Sequence, residues 1–254
     1  MPQIQLWAWE NLGMSNNYGW AIKFLPKEFG SIVEVGSRDA FDAIRLSEQY
    51  QCTVISFEPN PIQFDVCSEN LRKFDNNSVT LRPEALSDNN LLIDFLAIDP
   101  NKYDNLGASS FFEIDFSNRA KDDPDSGRTP VQTPIKVQAA RWDGLGFPSP
   151  ELLVMDCEGA ELLVLKGFGK NLQDLRYTVL EVSQNAVGKG ACTFKEVHQF
   201  LIKNKFKFVA SSIYGQSYQY LKIRLILSSS KNRLKKPFGK PLKGRSFDVI
   251  YKTL

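Results

Sequence analysis

The residues best placed to do chemistry are carboxylates that follow short apolar runs. Glu58 directly follows the run Cys52 to Phe57, and Asp156-Cys157-Glu158-Gly159 follows Glu151 to Met155. Glu181 lies near the end of a third run, Tyr177 to Val182. In an open sheet whose strands alternate with helices, the carboxyl ends of the strands face the ligand crevice. Acids placed there can accept hydrogen bonds, take a proton, or cap the next helix, and capping stays open for Asp156 and Glu158. Glu58 has a more specific reading. It lies 22 residues after Gly36, close to the ~20-residue offset at which an acid binds a ribose diol in nucleotide-binding sheets. A solvated loop acid is the plain alternative.

The elements that must position these acids follow from the hydrophobic pattern. Ser31 to Val35 is long enough for a buried strand, ends in a lone Gly36, and gives way at once to a helical pattern. Asp39 is the expected N-cap, with Asp42 three residues on as in a capping box and Phe41, Ile44 and Leu46 following. Backbone N–H groups at such a corner can hold an anionic group. Asn60 should cap the next helix with Pro61 at its first position, ahead of Phe64, Cys67, Leu71 and Phe74 at helical spacing. A second strand–acid–glycine–helix corner runs from Glu151 through Leu162, Leu163, Leu165 and Phe168. Further strands are expected at Val79 to Leu81, Leu91 to Ile98 (an edge strand), Ile135 to Ala139, Phe206 to Ala210 and Phe247 to Tyr251. Thr193-Phe-Lys-Glu196 reads as a capping box opening a helix with Phe194, Val197, Phe200 and Leu201 on one face. His198 falls between those positions and is read as surface decoration.

The chain of 254 residues fits one large domain with insertions. Residues 1–30 are aromatic-rich and read as a capping segment over the sheet or the cleft. Residues 31–254 form the main domain, with a lid-like loop at 99–134 and an insertion at 211–246. Within the loop, Ser109-Ser110-Phe111-Phe112 can either meet a ligand or simply anchor the loop by its aromatics. Hydrophobic content of 43% and charged content of 24% are ordinary for a soluble globular protein. There is no apolar run long enough to span a membrane and no signal-peptide pattern at the start, so a cytoplasmic protein is expected. Four cysteines without paired spacing and a single histidine exclude a Cys/His metal cluster. Net charge is +2, yet Lys231 to Arg245 holds seven basic residues and no acid, which leaves 24 basic against 29 acidic residues elsewhere. The body is therefore no general polyanion binder, and no specific nucleic-acid partner is expected. Homo-oligomers are left open.

Taken in order, Glu34-x-Gly36-x-Arg38-Asp39, Phe57-Glu58-Pro59-Asn60-Pro61, Glu84-Ala85-Leu86-Ser87, Ser109-Ser110, Asp156-x-Glu158-Gly159-x-Glu161-x-x-x-Leu165-Lys166-Gly167 and Glu181 form a larger pattern. The chain resembles the FkbM family of S-adenosylmethionine-dependent methyltransferases over roughly Ser31 to Ser211. The resemblance implies a Rossmann-like α/β fold, a doubly wound seven-stranded sheet of the class I methyltransferase type, with the last strand antiparallel and helices on both faces. It implies that Glu34 and the turn Gly36, Ser37, Arg38 and Asp39 hold the methionine part of the cofactor. Glu58, with Pro59 and Asn60, would bind the ribose, and Glu84 and Ala85 would flank the adenine. Asp156, Glu158 and Glu181 would face the methyl group and the acceptor. Members typically methylate oxygen, often hydroxyls of sugars in glycans or natural products, and a small-molecule or glycan acceptor is expected. Two positions depart from the family's pattern. Ala40 replaces a usual glycine, at little expected cost, and Met155 replaces a frequent lysine, which would remove a positive charge beside the acids.

Methyl transfer from a sulfonium is an in-line displacement, in which alignment alone can contribute ~7–11 kcal/mol. A general base adds about 10²–10⁴-fold when the nucleophile is an alcohol. Asp156 is assigned that role, with Glu158 and Glu181 holding the acceptor. The alternative that these acids hold Mg²⁺ is not preferred, and no residue is assigned as a metal ligand. The basic loop would either aid solubility or guide an anionic acceptor. Two other functions compete: a nicotinamide-dependent dehydrogenase or epimerase, which would need Gly-x-Gly-x-x-Gly where only Gly36 stands, and a non-catalytic binding module that keeps the fold.

Overall fold

The computed structural model describes residues 18–98, 108–114, 131–229 and 246–254, with backbone alone for 224–229. Trp7, Trp9, most of the 99–134 loop and the basic stretch Lys231 to Arg245 lie outside the described residues. The strands are β1 (Ser31–Val35), β2 (Thr53–Phe57), β3 (Val79–Arg82), β4 (Ala85–Leu86), β5 (Leu92–Ile98), β6 (Gln132–Ala140), β7 (Leu152–Met155), β8 (Tyr177–Ser183), β9 (Phe206–Ser211) and β10 (Ser246–Thr253). The helices are α1 (Phe41–Tyr50), α2 (Pro61–Lys73), α3 (Glu161–Gly167), α4 (Phe194–Lys203) and α5 (Tyr218–Ser229).

Seven strands form the main sheet in the order β3-β2-β1-β7-β8-β10-β9. β3, β2, β1, β7 and β8 run parallel, and β10 is antiparallel to both β8 and β9. This is the doubly wound sheet, with its last strand antiparallel, that the resemblance implies. The central strands read as continuous apolar runs because both of their faces are covered. Val33, Val35, Leu153, Met155, Leu180 and Val249 pack with Val164, Leu165, Val197 and Leu201 of α3 and α4. Their neighbours Ile32, Leu152, Val154, Val179 and Ile250 pack on the other face with Ala43, Leu46 and Tyr50 of α1 and with Tyr18, Ala21 and Phe29.

The runs after β3 do not extend the main sheet. β5 and β6 pair antiparallel, β4 joins β6, and the three make a separate small sheet with β5 at its edge. Phe95, Ala97 and Val137 on one of its faces pack around Ala85, with Phe111 against them.

Local signals in the sequence act as expected at two helix starts. Asn60 accepts the Ile62 N–H at 3.2 Å with Pro61 at the first helical position, and Thr193 and Glu196 close a reciprocal capping box. At α1 the structure differs. The N-cap is Ala40, with φ of 64°, and no side chain caps it. Asp39 sits one residue too early and accepts the Phe41 N–H instead, at 3.0 Å. A left-handed alanine carries a penalty of about 1–2 kcal/mol that glycine does not, so the substitution at position 40 is not cheap. His198 also differs, because it is half-buried rather than on the surface. Its Nδ1 and Nε2 each lie 2.8 Å from a tyrosine hydroxyl, Tyr251 and Tyr218, which ties α4 to β10 and α5.

Candidate active site at the strand ends

The turn after β1 is fixed by its own backbone. Gly36 and Ser37 both donate their N–H to the Phe57 carbonyl, at 3.0 and 3.1 Å, and Ala40 N–H donates to the Ser37 carbonyl at 3.1 Å. Arg38 N–H donates to Glu58 Oε2 and Asn60 N–H to Glu58 Oε1, each at 2.9 Å. The turn amides expected to hold an anion are thus already engaged, those of Gly36, Ser37 and Ala40 by the chain's own carbonyls and that of Arg38 by Glu58. Glu58 is buried, and each of its oxygens keeps a further lone-pair site beyond these bonds. Burial pushes its carboxyl up to about 7, against the opposing pull of the two N–H donors.

Around this turn lies a cleft enclosing about 680 Å³, a figure that includes space open to solvent. Its walls join polar Ser37, Arg38, Glu58, Gln63 and Glu84 to apolar Val35, Phe57, Leu86, Phe95 and Phe111. Ser109 and Phe111 also line it. Ser109 Oγ accepts the Ile98 N–H at 3.0 Å and donates to Gln63 Oε1 at 3.3 Å, and Ser110 Oγ donates to the Glu158 carbonyl at 2.8 Å. The hydroxyls therefore tie the segment to β5, to α2 and to the corner after β7, while Phe111 packs edge-on against Phe95.

Gly36 joins the first corner to the second. At its φ of +87°, an added Cβ would stand 2.0 Å from the Asp156 carbonyl oxygen. Gly159 does the same one turn further on, where a Cβ would stand 2.5 Å from that of Ala191. Beside them a smaller cavity of about 220 Å³ is lined by Asp156, Glu158, Glu161, Glu181, Cys192, Ser183 and Ser246. Asp156 lines both cavities. Burial, followed by the charges of Glu181, Glu158 and Glu161, raises the Asp156 carboxyl well above the usual carboxylate range. Glu161 is buried and accepts the Gly159 N–H at 3.1 Å and the Cys192 thiol at 3.2 Å. Among the described residues no group of three or more His, Cys, Asp or Glu side chains is arranged to hold a metal ion.

Residues 34–208 match the family described as the methyltransferase FkbM domain. The chain belongs to the FkbM methyltransferase family. A 2-O-methyltransferase, NoeI of Sinorhizobium fredii, is 28% identical over 187 residues, covering 71% of this chain and 74% of its own length. Among solved structures, the FkbM methyltransferase of Methylobacillus flagellatus is similar at a TM-score of 0.49 and 13% identity over 73% of this chain. The match spans only 41% of that solved chain. TrmK of M. capricolum, solved with S-adenosyl-homocysteine, its natural cofactor product, is similar at a TM-score of 0.47 and 8% identity, over 94% of this chain and 69% of its own.

For an S-adenosylmethionine-dependent methyltransferase of this family, the residues fit the cofactor at one telling atom. Ser37 is buried and lines the cleft, and its Oγ, though near the Glu34 carboxyl and the Cys67 thiol, makes no hydrogen bond of good geometry within the protein. Of the expected cofactor residues, Gly36, Ser37, Arg38, Glu58, Pro59, Glu84 and Ala85 line the cleft. Glu34, Asp39 and Asn60 do not. Glu34 is buried behind the turn, bonded to Ser56, and burial with Asp42 nearby pushes it up to about 8. Asp39 is engaged with Phe41 N–H and the Arg38 side chain. Asn60 donates to Gln63 Oε1 and the Ile98 carbonyl, at 2.9 and 3.1 Å, and so shapes the wall from behind. Asp156, Glu158 and Glu181 are brought together as expected. Met155 is fully buried in the apolar core on the sheet face that packs α3 and α4. Its side chain therefore does not stand in for a charge beside the acids. Reading the sequence missed Glu161 as a lining residue, though its place in the Asp-x-Glu-Gly-x-Glu motif was a signal. It also missed Gln63, Phe95 and Asp42, for which no local signal existed.

Proposed function

We propose that the protein transfers a methyl group from S-adenosylmethionine to a hydroxyl oxygen of a sugar, glycan or natural-product acceptor. The observation that carries this reading is that Asp156 lines both the large cleft and the acid-lined cavity beside it. Bound in the cleft, the cofactor supplies an electrophilic methyl group. Ser37, Glu58 and the apolar wall around Val35, Phe57 and Leu86 would hold it, with Glu58 accepting hydrogen bonds from a diol. Glu158 and Glu181 would orient the acceptor from the smaller cavity. Asp156 would take the hydroxyl proton, and burial beside other carboxylates, which raises its affinity for protons, makes its ionised form a stronger base. The name of the relative NoeI supports oxygen as the acceptor atom. An anionic acceptor, guided by the basic stretch Lys231 to Arg245, and a reaction in the cytoplasm belong to the same proposal. The free state of all four cysteines agrees with a reducing compartment.

The test has two arms. Calorimetry with S-adenosylhomocysteine should show tight binding, whereas binding of NAD or of neither would support the competing functions. Incubation with methyl-labelled cofactor and a panel of oligosaccharides should then give label that resists mild base, as an ether does. Base-labile label would mean a carboxyl acceptor and overturn the assignment to hydroxyl oxygen. Activity should survive EDTA, since a base alone takes the proton.

A further inference from the structure

The register of the main sheet places one more acid beside the site. Met155 pairs with Leu180, and Asp248 pairs with Glu181. Asp156, Glu181 and Asp248 therefore stand level at the ends of three adjacent strands, β7, β8 and β10. Residues level with one another on neighbouring strands point to the same face, and directly opposed antiparallel pairs bring their Cβ atoms to ~4.5–5.5 Å. This is the face on which Val154, Val179 and Ile250 pack with Tyr18 and Trp20.

The groups that face the row come from every element around it. Glu181 of β8 and the Trp20 indole lie against Asp248, and the Ser212 hydroxyl donates to its carboxylate from the end of β9. The Ser212 N–H donates to the Asp248 carbonyl and the Asp248 N–H to the Ser212 hydroxyl, each at 3.0 Å, and together they fix that geometry. Asp156 is faced by Glu158 and Glu161 from its own corner, by the Arg38 guanidinium from the turn after β1, and by the Tyr18 hydroxyl.

We propose that Asp248 is a positioning residue for methyl transfer, acting through its cross-strand neighbour Glu181 to set how tightly Asp156 holds its proton. The inference rests on the reading of Asp156 as the base. Three half-buried carboxylates in one row oppose each other's ionisation, so a charge gained at one end is felt along the row. Burial and Glu181 hold Asp248 at about 7, so it changes charge near neutrality. Ionised Asp248 repels Glu181 and Asp156 and makes Asp156 a stronger base. Once Asp248 is neutral, Asp156 releases its proton at lower pH.

The test compares wild type with Asp248→Asn. The acid limb of the pH profile of kcat should move down by about half a pH unit or more, while S-adenosylhomocysteine affinity stays within about twofold. Asp248→Glu should restore the limb. Carbon NMR of the carboxyl groups, recorded without acceptor, should show Asp156 titrating lower in Asp248→Asn. A limb and carboxyl titrations that both stay in place would overturn the proposal. Moved titrations with an unmoved limb would support control of the Asp156 proton by Asp248 and overturn Asp156 as the base. Lost activity without a shift would mean that Asp248 only supports the fold. If Asp248→Asn does not fold, Ser212→Ala decides by the same titrations. Loss of its donated bond makes Asp248 harder to ionise and should give a smaller shift in the same direction.

Discussion

Glu58, which follows β2, closes the corner after β1, and each of its oxygens is met by a backbone N–H, from Arg38 and from Asn60. At the corner after β7, the charges around Asp156 are mostly other carboxylates, Glu181, Glu158 and Glu161. Both corners are built alike, as strand, positive-φ glycine and short turn into a helix. They differ in what surrounds the acid. A carboxylate ringed by donors is fixed in place and ready to accept hydrogen bonds from a ligand. A carboxylate ringed by its own kind binds a proton more tightly, which makes its ionised form a stronger base. In the proposed function, the first corner serves holding and the second serves proton transfer.

The sharpest way to break this contrast is Asp156→Asn, which keeps shape and removes basicity. Turnover should fall by about 10²–10⁴-fold while cofactor affinity changes only a few-fold, measured by steady-state kinetics and calorimetry. Full turnover in this variant would leave the second corner without its proposed role. Next in size is Gly36→Ala, which attacks the joint between the corners. The 2.0 Å approach to a carbonyl oxygen and the positive φ should together cost about 3 kcal/mol or more in a denaturant titration.

A third experiment uses pH. Glu34 titrates at about 8 in the folded chain against a reference of 4.5. The folded state therefore keeps a proton that the unfolded state has released between those values. Its contribution is complete below pH 4.5 and is lost as pH rises through about 8. Glu34→Gln should flatten this decline and stabilise the protein at pH 8.5 by on the order of 2 kcal/mol in melting experiments. An unchanged slope would show that Glu34 is ionised in the fold.

Fourth, Glu58→Gln should weaken cofactor binding by more than about tenfold, since one charge-assisted bond contributes ~1.5–3 kcal/mol. In wild type the affinity should rise as pH climbs through about 7, where Glu58 ionises, and the variant should lose that dependence. Equal affinity in both proteins would remove Glu58 from the cofactor site. The smallest effect is expected of Ala40→Gly. Relief of the left-handed strain opposes the greater freedom of glycine in the unfolded chain, so stability should rise by less than about 1 kcal/mol.

Much of this was legible in the sequence, because its signals are local. The apolar runs of β1, β2, β7 and β8, the Asn60-Pro61 helix start and the Thr193 to Glu196 box each depend on residues a few positions apart. The strand-end acids could be found for the same reason, since a strand end is marked by where its apolar run stops. What the sequence could not show is what meets across the sheet. The amides of residues 36 and 37 are engaged by the Phe57 carbonyl, and Ala40 turns left-handed because that turn leaves it no other path. Met155 faces away from the acids because side chains alternate along a strand, and the alternation fixes a face only once the register is known. Asp248 joins Asp156 and Glu181 because β10 inserts antiparallel between β8 and β9, bringing residues far apart in the chain to one level. Local pattern set the elements and most of the acids. Register and burial, which are properties of the assembled sheet, decided which of those acids meet.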